Sequence, residues 1–412
     1  LKSCSLVSPI FRFPCQQRLH HTLKLQFAGP DSQRHPRKTL EAVSRRFDES
    51  PHLAGYITRL SIKLSPWRGP EDQSAFARRV FDRLGHVQKA TISNALVEPA
   101  SWGSLPLDLG SAVLAWFAQR GRREPLQGLT FEFINLPEVV IPVMLSAATS
   151  LVLYECTLEV LPTLQQRAII RSVPRPRPPT LQRLEAYSSW TIVEVLCTAE
   201  RAHQVSALRR LAPQITNDSA YLGMFADLCA SSADTLTSLK LWMDSEARYH
   251  SAKLHINIIP VIDPLRREFF LRRFITPLPQ LRKVSLLLNG TATNDSEELH
   301  NIAWFLPNAL RPALLPSLSQ ITFFLYNYLP RSPGPNGLPP DFTSEALAPL
   351  EAYIVEHPTL KAFAWEPYFY SLANSEPVDD QQQYFERFCA GMKRFLPKAQ
   401  EKGRLVFRRG TY

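Results

Sequence analysis

The chain has 412 residues, 45% of them hydrophobic, and a net charge of +10, a composition that excludes a disordered polar chain. No run of about 18 uncharged apolar residues occurs, which argues against a helix crossing a membrane. The positive charge collects at the ends, with nine Lys and Arg against four Asp and Glu in residues 1–50 and seven against one in 391–412, leaving 31 against 32 between them. A near-neutral body has no extended stripe for following phosphates, so basic solvated or partner-docking ends are expected and nucleic acid is not the expected partner.

In chain order, ten short apolar ladders recur. They centre on Leu60, Ala90, Leu129, Leu151, Leu184, Leu239, Val284, Ile321, Phe363 and Leu405. Each has Leu, Ile, Val or Phe at steps of two, often preceded by another apolar residue three positions upstream, as in Leu126-x-x-Leu129-x-Phe131-x-Phe133 and Leu281-x-x-Val284-x-Leu286-x-Leu288. The step of two puts alternate side chains on one face of a short strand. Between ladders the spacing turns helical, at Phe76, Val80, Phe81 and Leu84, at Ala112, Leu114, Ala115 and Phe117, and at Leu222, Phe225, Ala226 and Cys229. Alternating strand and helix predicts an α/β fold with parallel strands on one face and helices on the other. No single unit can bury its apolar face alone, so the expected architecture is an irregular leucine-rich-repeat-like solenoid, with a short helical segment at the amino end.

The ladder spacing runs from 22 to 55 residues, longer and less even than a regular leucine-rich repeat. The longest gap, Leu184 to Leu239, contains Trp190 to Leu211, whose apolar positions predict an amphipathic helical section. Two proline-dense stretches, 173–179 and 329–340, are read as surface loops because they lack amide donors.

Chemistry-bearing motifs are missing. The sequence has no phosphate-binding glycine loop, no G-x-S-x-G elbow and no H-E-x-x-H. Six scattered cysteines form no C-x-x-C pair, and His250 and His255 are five apart, off the spacing that places two ligands on one helical face. The acidic groups at Asp295, Glu297 and Glu298 and at Asp379 and Asp380 are read as polar loops. No catalytic residue, cofactor, metal or small-molecule ligand is therefore expected, and the chain is read as a non-enzyme. Reduced thiols point to a cytoplasmic or nuclear setting. The aromatic runs at 323–328 and 364–370 are read as half core and half available to a partner.

One resemblance adds to this. Leu1-Lys2-Ser3-Cys4-Ser5-Leu6-Val7-Ser8, then Phe11, then Gln16-Gln17-Arg18-Leu19-His20-His21-Thr22-Leu23-Lys24-Leu25, is similar to the second half of an F-box motif. Ser50 to Leu60 resembles the approach to the divergent leucine-rich-repeat-like region of fungal F-box proteins. The resemblance implies an F-box-like carboxyl half and linker over 1–48 and a solenoid over 49–412. It implies the substrate-recognition part of a ubiquitin-ligase subunit, with Leu6, Val7 and Phe11 as the apolar positions for the module core or a Skp-type adaptor. The Leu-Pro docking segment of such a motif is not among these residues; the first residue is Leu and no signal-peptide pattern follows, so the chain is expected to begin inside a longer protein. The alternatives are nucleic-acid binding through the basic ends, or an enzyme whose site is assembled from distant residues.

Overall fold

The computed structural model describes residues 9–26, 39–64, 74–94, 99–172, 181–198, 200–215, 219–243, 276–289, 306–308, 310–326, 343–368 and 378–410. Both proline-dense stretches, His250 and His255, and the group at Asp295 lie outside them. The fold is α/β, and by internal contact the chain divides into two compact units, Leu1–Ala207 and Leu208–Tyr412.

The first unit holds strands β1 (Thr22–Gln26), β2 (Arg59–Leu64), β3 (Lys89–Asn94), β5 (Gly128–Glu132), β7 (Ser150–Tyr154) and β9 (Arg183–Tyr187), all parallel and hydrogen-bonded in that order. A second, small parallel sheet joins β4 (Ala100–Ser101), β6 (Ile134–Pro137) and β8 (Thr157–Glu159). The helices of this unit are α1 (Pro9–His20), α2 (Leu40–Glu49), α3 (Ser74–Arg83), α4 (Leu107–Arg123), α5 (Ile141–Ala147), α6 (Thr163–Ser172), α7 (Trp190–Leu196) and α8 (Ala202–Val205). Helices α2 to α5 pack each on the next. The second unit holds β10 (Arg210–Ile215), β11 (Ser238–Met243), β12 (Lys283–Asn289), β13 (Gln320–Tyr326), β14 (Ala362–Pro367) and β15 (Leu405–Phe407), again parallel and in chain order. Its described helices are α9 (Ser219–Ser231), α10 (Ser344–Glu356), α11 (Val378–Phe395) and α12 (Pro397–Glu401).

Within each unit the ladder centres fall at one level of the sheet. Leu60 pairs with Ala90, Ala90 with Leu129, Leu129 with Leu151 and Leu151 with Leu184; Leu239, Val284, Ile321, Phe363 and Leu405 continue likewise in the second unit. One level on come Ile62, Ile92, Phe131, Leu153 and Ala186, all buried. The upstream residue at the step of three is buried as well, from Ile57 and Val87 to Leu318 and Leu360.

A repeated backbone device holds this level. At eight junctions the carbonyl just before one strand accepts from two consecutive amides at the start of the next, over 2.8–3.3 Å. The acceptors are His21, Thr58, Gln88 and Thr149 in the first unit and Arg209, Thr237, Arg282 and Ser319 in the second. At each of these turns one carbonyl thereby satisfies two amides.

Three sequence expectations need correction. The section 190–211 is helical only at α7 and α8, and Arg210–Ile215 is a strand whose Leu211 pairs with Leu239. The 55-residue gap thus splits into steps of 27 and 28. Pro213 hid this strand: it has no amide to give, and the ladder register skips Ala212 and Pro213. Second, Thr22–Gln26, read with the amino-terminal module, pairs in parallel with β2, Leu23 opposite Leu60. Third, Asp379 and Asp380 lie in the first turn of helix α11 and not in a loop.

Gly121 in α4 lies close against the backbone of α5. A Cβ there would come within 2.6 Å of the Ser146 carbonyl oxygen on α5. We expect Gly121→Ala to destabilise the first unit by about 1–3 kcal/mol through overpacking, read as a lower urea midpoint, whereas Gly85→Ala, which meets nothing within 4 Å, should leave the midpoint within about 0.5 kcal/mol.

Candidate functional site

Burial alternates along β2, β5 and β7, so one face of these strands is packed and the other is open or half-open, with Ser93 on β3 a buried exception on that second face. The two units differ in what that second face carries. In the first unit its positions are Thr22, Lys24 and Gln26 on β1, Arg59, Ser61 and Lys63 on β2, Lys89, Thr91 and Ser93 on β3, then Gly128, Thr130 and Glu132 on β5. Lys24, Arg59, Lys63 and Lys89 are exposed, and none makes an ion pair among the described residues.

Toward β7 and β9 the same face becomes aromatic. Phe133 and Tyr154 meet edge to face at 5.3 Å, and Tyr154 and Tyr187 lie 6.1 Å apart. Tyr187 donates its hydroxyl to Glu185 at 2.9 Å, and Arg183 pairs with the other oxygen of that carboxylate. Each strand here ends on a left-handed residue: Phe133, Glu155 and Ser188 have φ of 57°, 49° and 46°. Side chains with a Cβ disfavour this region, yet all three sit directly after strands in register, where the backbone turns away from the main sheet.

In the second unit the corresponding face is mixed, with Lys240, Lys283, Ser285 and Gln320 beside more buried positions. Leu287, Thr322 and Ala364 are buried on it, Lys240 Nζ lies 5.6 Å from the centre of the Phe324 ring, and Tyr368 gives its hydroxyl to Glu366 at 2.8 Å. On the packed side Phe323 stacks on Trp365 at 5.0 Å, with Phe363 and Phe388 around them. In the described part of the aromatic runs Phe323, Leu325 and Trp365 are core and Phe324 and Tyr368 are half-buried, while 327–328 and 369–370 lie outside the described residues.

Groups that could do chemistry are otherwise committed. Cys156 is buried with its thiol pushed up to about 12 by desolvation, which leaves it a protonated, unreactive group at neutral pH. Both oxygens of Glu159 are occupied, one by Ser101 Oγ at 2.5 Å and one by the Gly103 amide at 3.1 Å. Gly103 also borders a cavity of about 60 Å³ lined by Trp102, Leu105, Leu107 and Leu161, room for a few waters rather than a metabolite. Arg120 is buried and donates to the carbonyls of Gly85 and Val87, fixing the turn before β3. Among the described residues no group of three His, Cys, Asp or Glu is placed to hold a metal ion.

The basic carboxyl end is built into the fold. Arg404 donates to the carbonyls of Ile354, Val355 and His357, and Lys402 to Val355, closing the carboxyl terminus of α10, where orphan carbonyls and the helix dipole favour cations. The count of charges by sequence window missed this use. It also missed the four open-face cations, because Lys24 was counted with the amino end while Arg59, Lys63 and Lys89 were averaged into the near-neutral window 51–390. A count restricted to alternate strand positions would have found them.

Of the sequence-nominated residues, Leu6 and Val7 lie outside the described residues. Phe11 lies in α1, the helix that also exposes Ile10 at 81% and Phe13 at 59%, Phe13 resting edge-on against Tyr56 at 5.3 Å. No family model and no curated protein sequence matches this chain. No helix among the described residues is long and apolar enough to cross a membrane.

His357 is 1% exposed, and burial, then the nearby Arg404 charge, lowers its pKa below the ordinary 6.5. The unfolded chain therefore takes up this proton first. Stability is full above about pH 6.5 and is lost as pH falls through and below that value. We expect the melting temperature to drop between pH 7 and pH 5, and His357→Asn to flatten that drop in parallel thermal melts. At Ser188, we expect Ser188→Val to cost about 1–2 kcal/mol and Ser188→Gly to be neutral or stabilising in urea titrations, since glycine alone adopts φ of 46° freely.

Proposed function

We propose that this chain is a protein-interaction scaffold, a leucine-rich-repeat-like solenoid with parallel strands on one face and helices on the other, and that the open strand face of the first unit receives a protein partner. The reading is carried by one observation: in both units the strands run strictly in chain order. Ligand crevices of parallel α/β sheets form where strand order reverses, and no reversal occurs within either unit. What is offered instead is a broad array of side chains at strand spacing, cationic over β1–β3 and aromatic from Phe133 to Tyr187. Aromatic residues and Arg on such a surface are favoured anchors for a protein.

Within that reading we place the chain as the substrate-recognition part of an F-box-type ubiquitin-ligase subunit, working in the cytoplasm or nucleus by binding and not by catalysis. The resemblance at residues 1–64 motivates this. The exposed Ile10 and Phe13 on α1 support it as apolar surface for a Skp-type adaptor.

The test of the ligase part is gel filtration of the purified chain with a Skp adaptor, where we expect a stable complex that Ile10→Asp weakens at least about tenfold; no complex removes the ligase assignment and leaves the scaffold. The scaffold itself predicts that a photo-crosslinking residue at Thr130, on the open face, captures protein partners in cell extract and that one at Arg79, on α3, does not. Equal yields at both positions would end it.

A further inference from the structure

Arg59 and Lys89 are direct register partners on adjacent strands. Like charges facing each other across a strand pair are unfavourable, and neither finds a carboxylate among the described residues. Lys24 and Lys63 stand one and two levels further on the same face, opposite Ser61 and Gln26. With strands about 4.8 Å apart and alternate residues about 6.6 Å apart, the four cations occupy a field of roughly 10 by 13 Å around the hydroxyls of Ser61 and Thr91. On β5, Glu132 stands on this face at the level of Lys63 and Ser93, two strands from Lys63, and Glu185 is held by Arg183 and Tyr187.

From this field, whose four cations form no ion pair among the described residues, and resting on the scaffold reading above, we infer that the open face of β1–β3 docks an extended Asp- and Glu-rich segment of the protein partner. Charge complementarity identifies the occupant. Carboxylates at alternate positions of an extended segment repeat at the same spacing as the cations along a strand, so one face of such a segment matches the field. Serine and threonine hydroxyls between the cations supply further donors. A nucleic acid fits less well. The nine outward positions of β1–β3 include no aromatic side chain for a base to stack on, and four cations can neutralise only a few phosphates.

The experiment is fluorescence anisotropy of the full chain with an extended peptide alternating Glu and Ser, at low and at physiological salt, beside a single-stranded oligonucleotide of matched charge. We expect the peptide to bind more tightly than the oligonucleotide, and the double variant Arg59→Glu, Lys89→Glu to weaken it at least tenfold while Arg79→Glu on α3 leaves it unchanged. Arg59→Gln, which keeps most of the side-chain stem, should weaken binding several-fold with a melting temperature equal to or above the parent's, because it relieves the facing like charges. The inference is overturned if the peptide does not bind, if the double variant binds it as well as the parent, if the oligonucleotide binds more tightly and is lost with the same variant, or if Arg59→Gln lowers the melting temperature, which would make the cluster structural. Crosslinking from Thr130 separates the two levels: partner capture that persists in the double variant removes the acidic-segment site and leaves the scaffold, whereas no capture from Thr130 in the parent removes both.

Discussion

At eight junctions one backbone carbonyl accepts two consecutive amides from the start of the following strand, and this shared acceptor sets the level at which every later side chain sits. A slip of one residue would turn Leu129, Phe131 and their neighbours to the open face and bring Thr130 and Glu132 inside. The apolar levels and the carbonyl ladder therefore enforce each other. Each buried Leu or Ile on a level is worth about 2 kcal/mol against exposure, and each misregistered carbonyl would leave two donors unpaired. Irregular lengths between strands do not disturb the arrangement, because the lock lies at the strand starts and the connections are free to vary.

Once the register is set, the two faces of a strand answer to different requirements. The packed face demands volume and receives Leu, Ile, Phe and Trp, down to the stacked Phe323 and Trp365. The other face is released from that demand in the first unit, where Lys24, Arg59, Lys63 and Lys89 collect, and only partly released in the second, where Leu287 and Ala364 are buried on it. The same backbone pattern thus carries a cationic surface in one unit and a mixed, partly buried one in the other. Cations elsewhere are used differently: Arg120 and Arg404 are tied to carbonyls at turns and at a helix end, a structural use that leaves them no role in recognition.

Strain is concentrated where the chain leaves the strands. Phe133, Glu155 and Ser188 hold left-handed backbone at the same level of three strands, each costing on the order of 1 kcal/mol relative to relaxed backbone. The return is a sharp turn that delivers Ile134, Cys156 and Ser189 to buried positions and lets β6 and β8 build the small second sheet. That turn also aligns Phe133, Tyr154 and Tyr187 into a string of rings, so the aromatic half of the proposed partner surface is a consequence of the same geometry.

The strands were legible in the amino-acid order wherever a step of three led into a step of two, since that spelling places the upstream residue under the turn and the next ones on the packed face. Leu208-x-x-Leu211 has this spelling too, but Pro213 and the helical spacing before it masked the strand. In 323–325 alternation also separates the core Phe323 and Leu325 from the half-buried Phe324. What the sequence could not decide was which open-face residues become neighbours. Lys24, Arg59 and Lys89 are 35 and 30 residues apart along the chain, and only parallel pairing brings them together. The amino-terminal Leu23 and Leu25 carried the apolar alternation of a strand, yet a strand has no meaning until a partner supplies its hydrogen bonds, and β2 supplies them only in three dimensions. Local periodicity encodes which face of a segment is apolar; the meeting of distant charges is a property of register, which is a cooperative outcome of the whole stack.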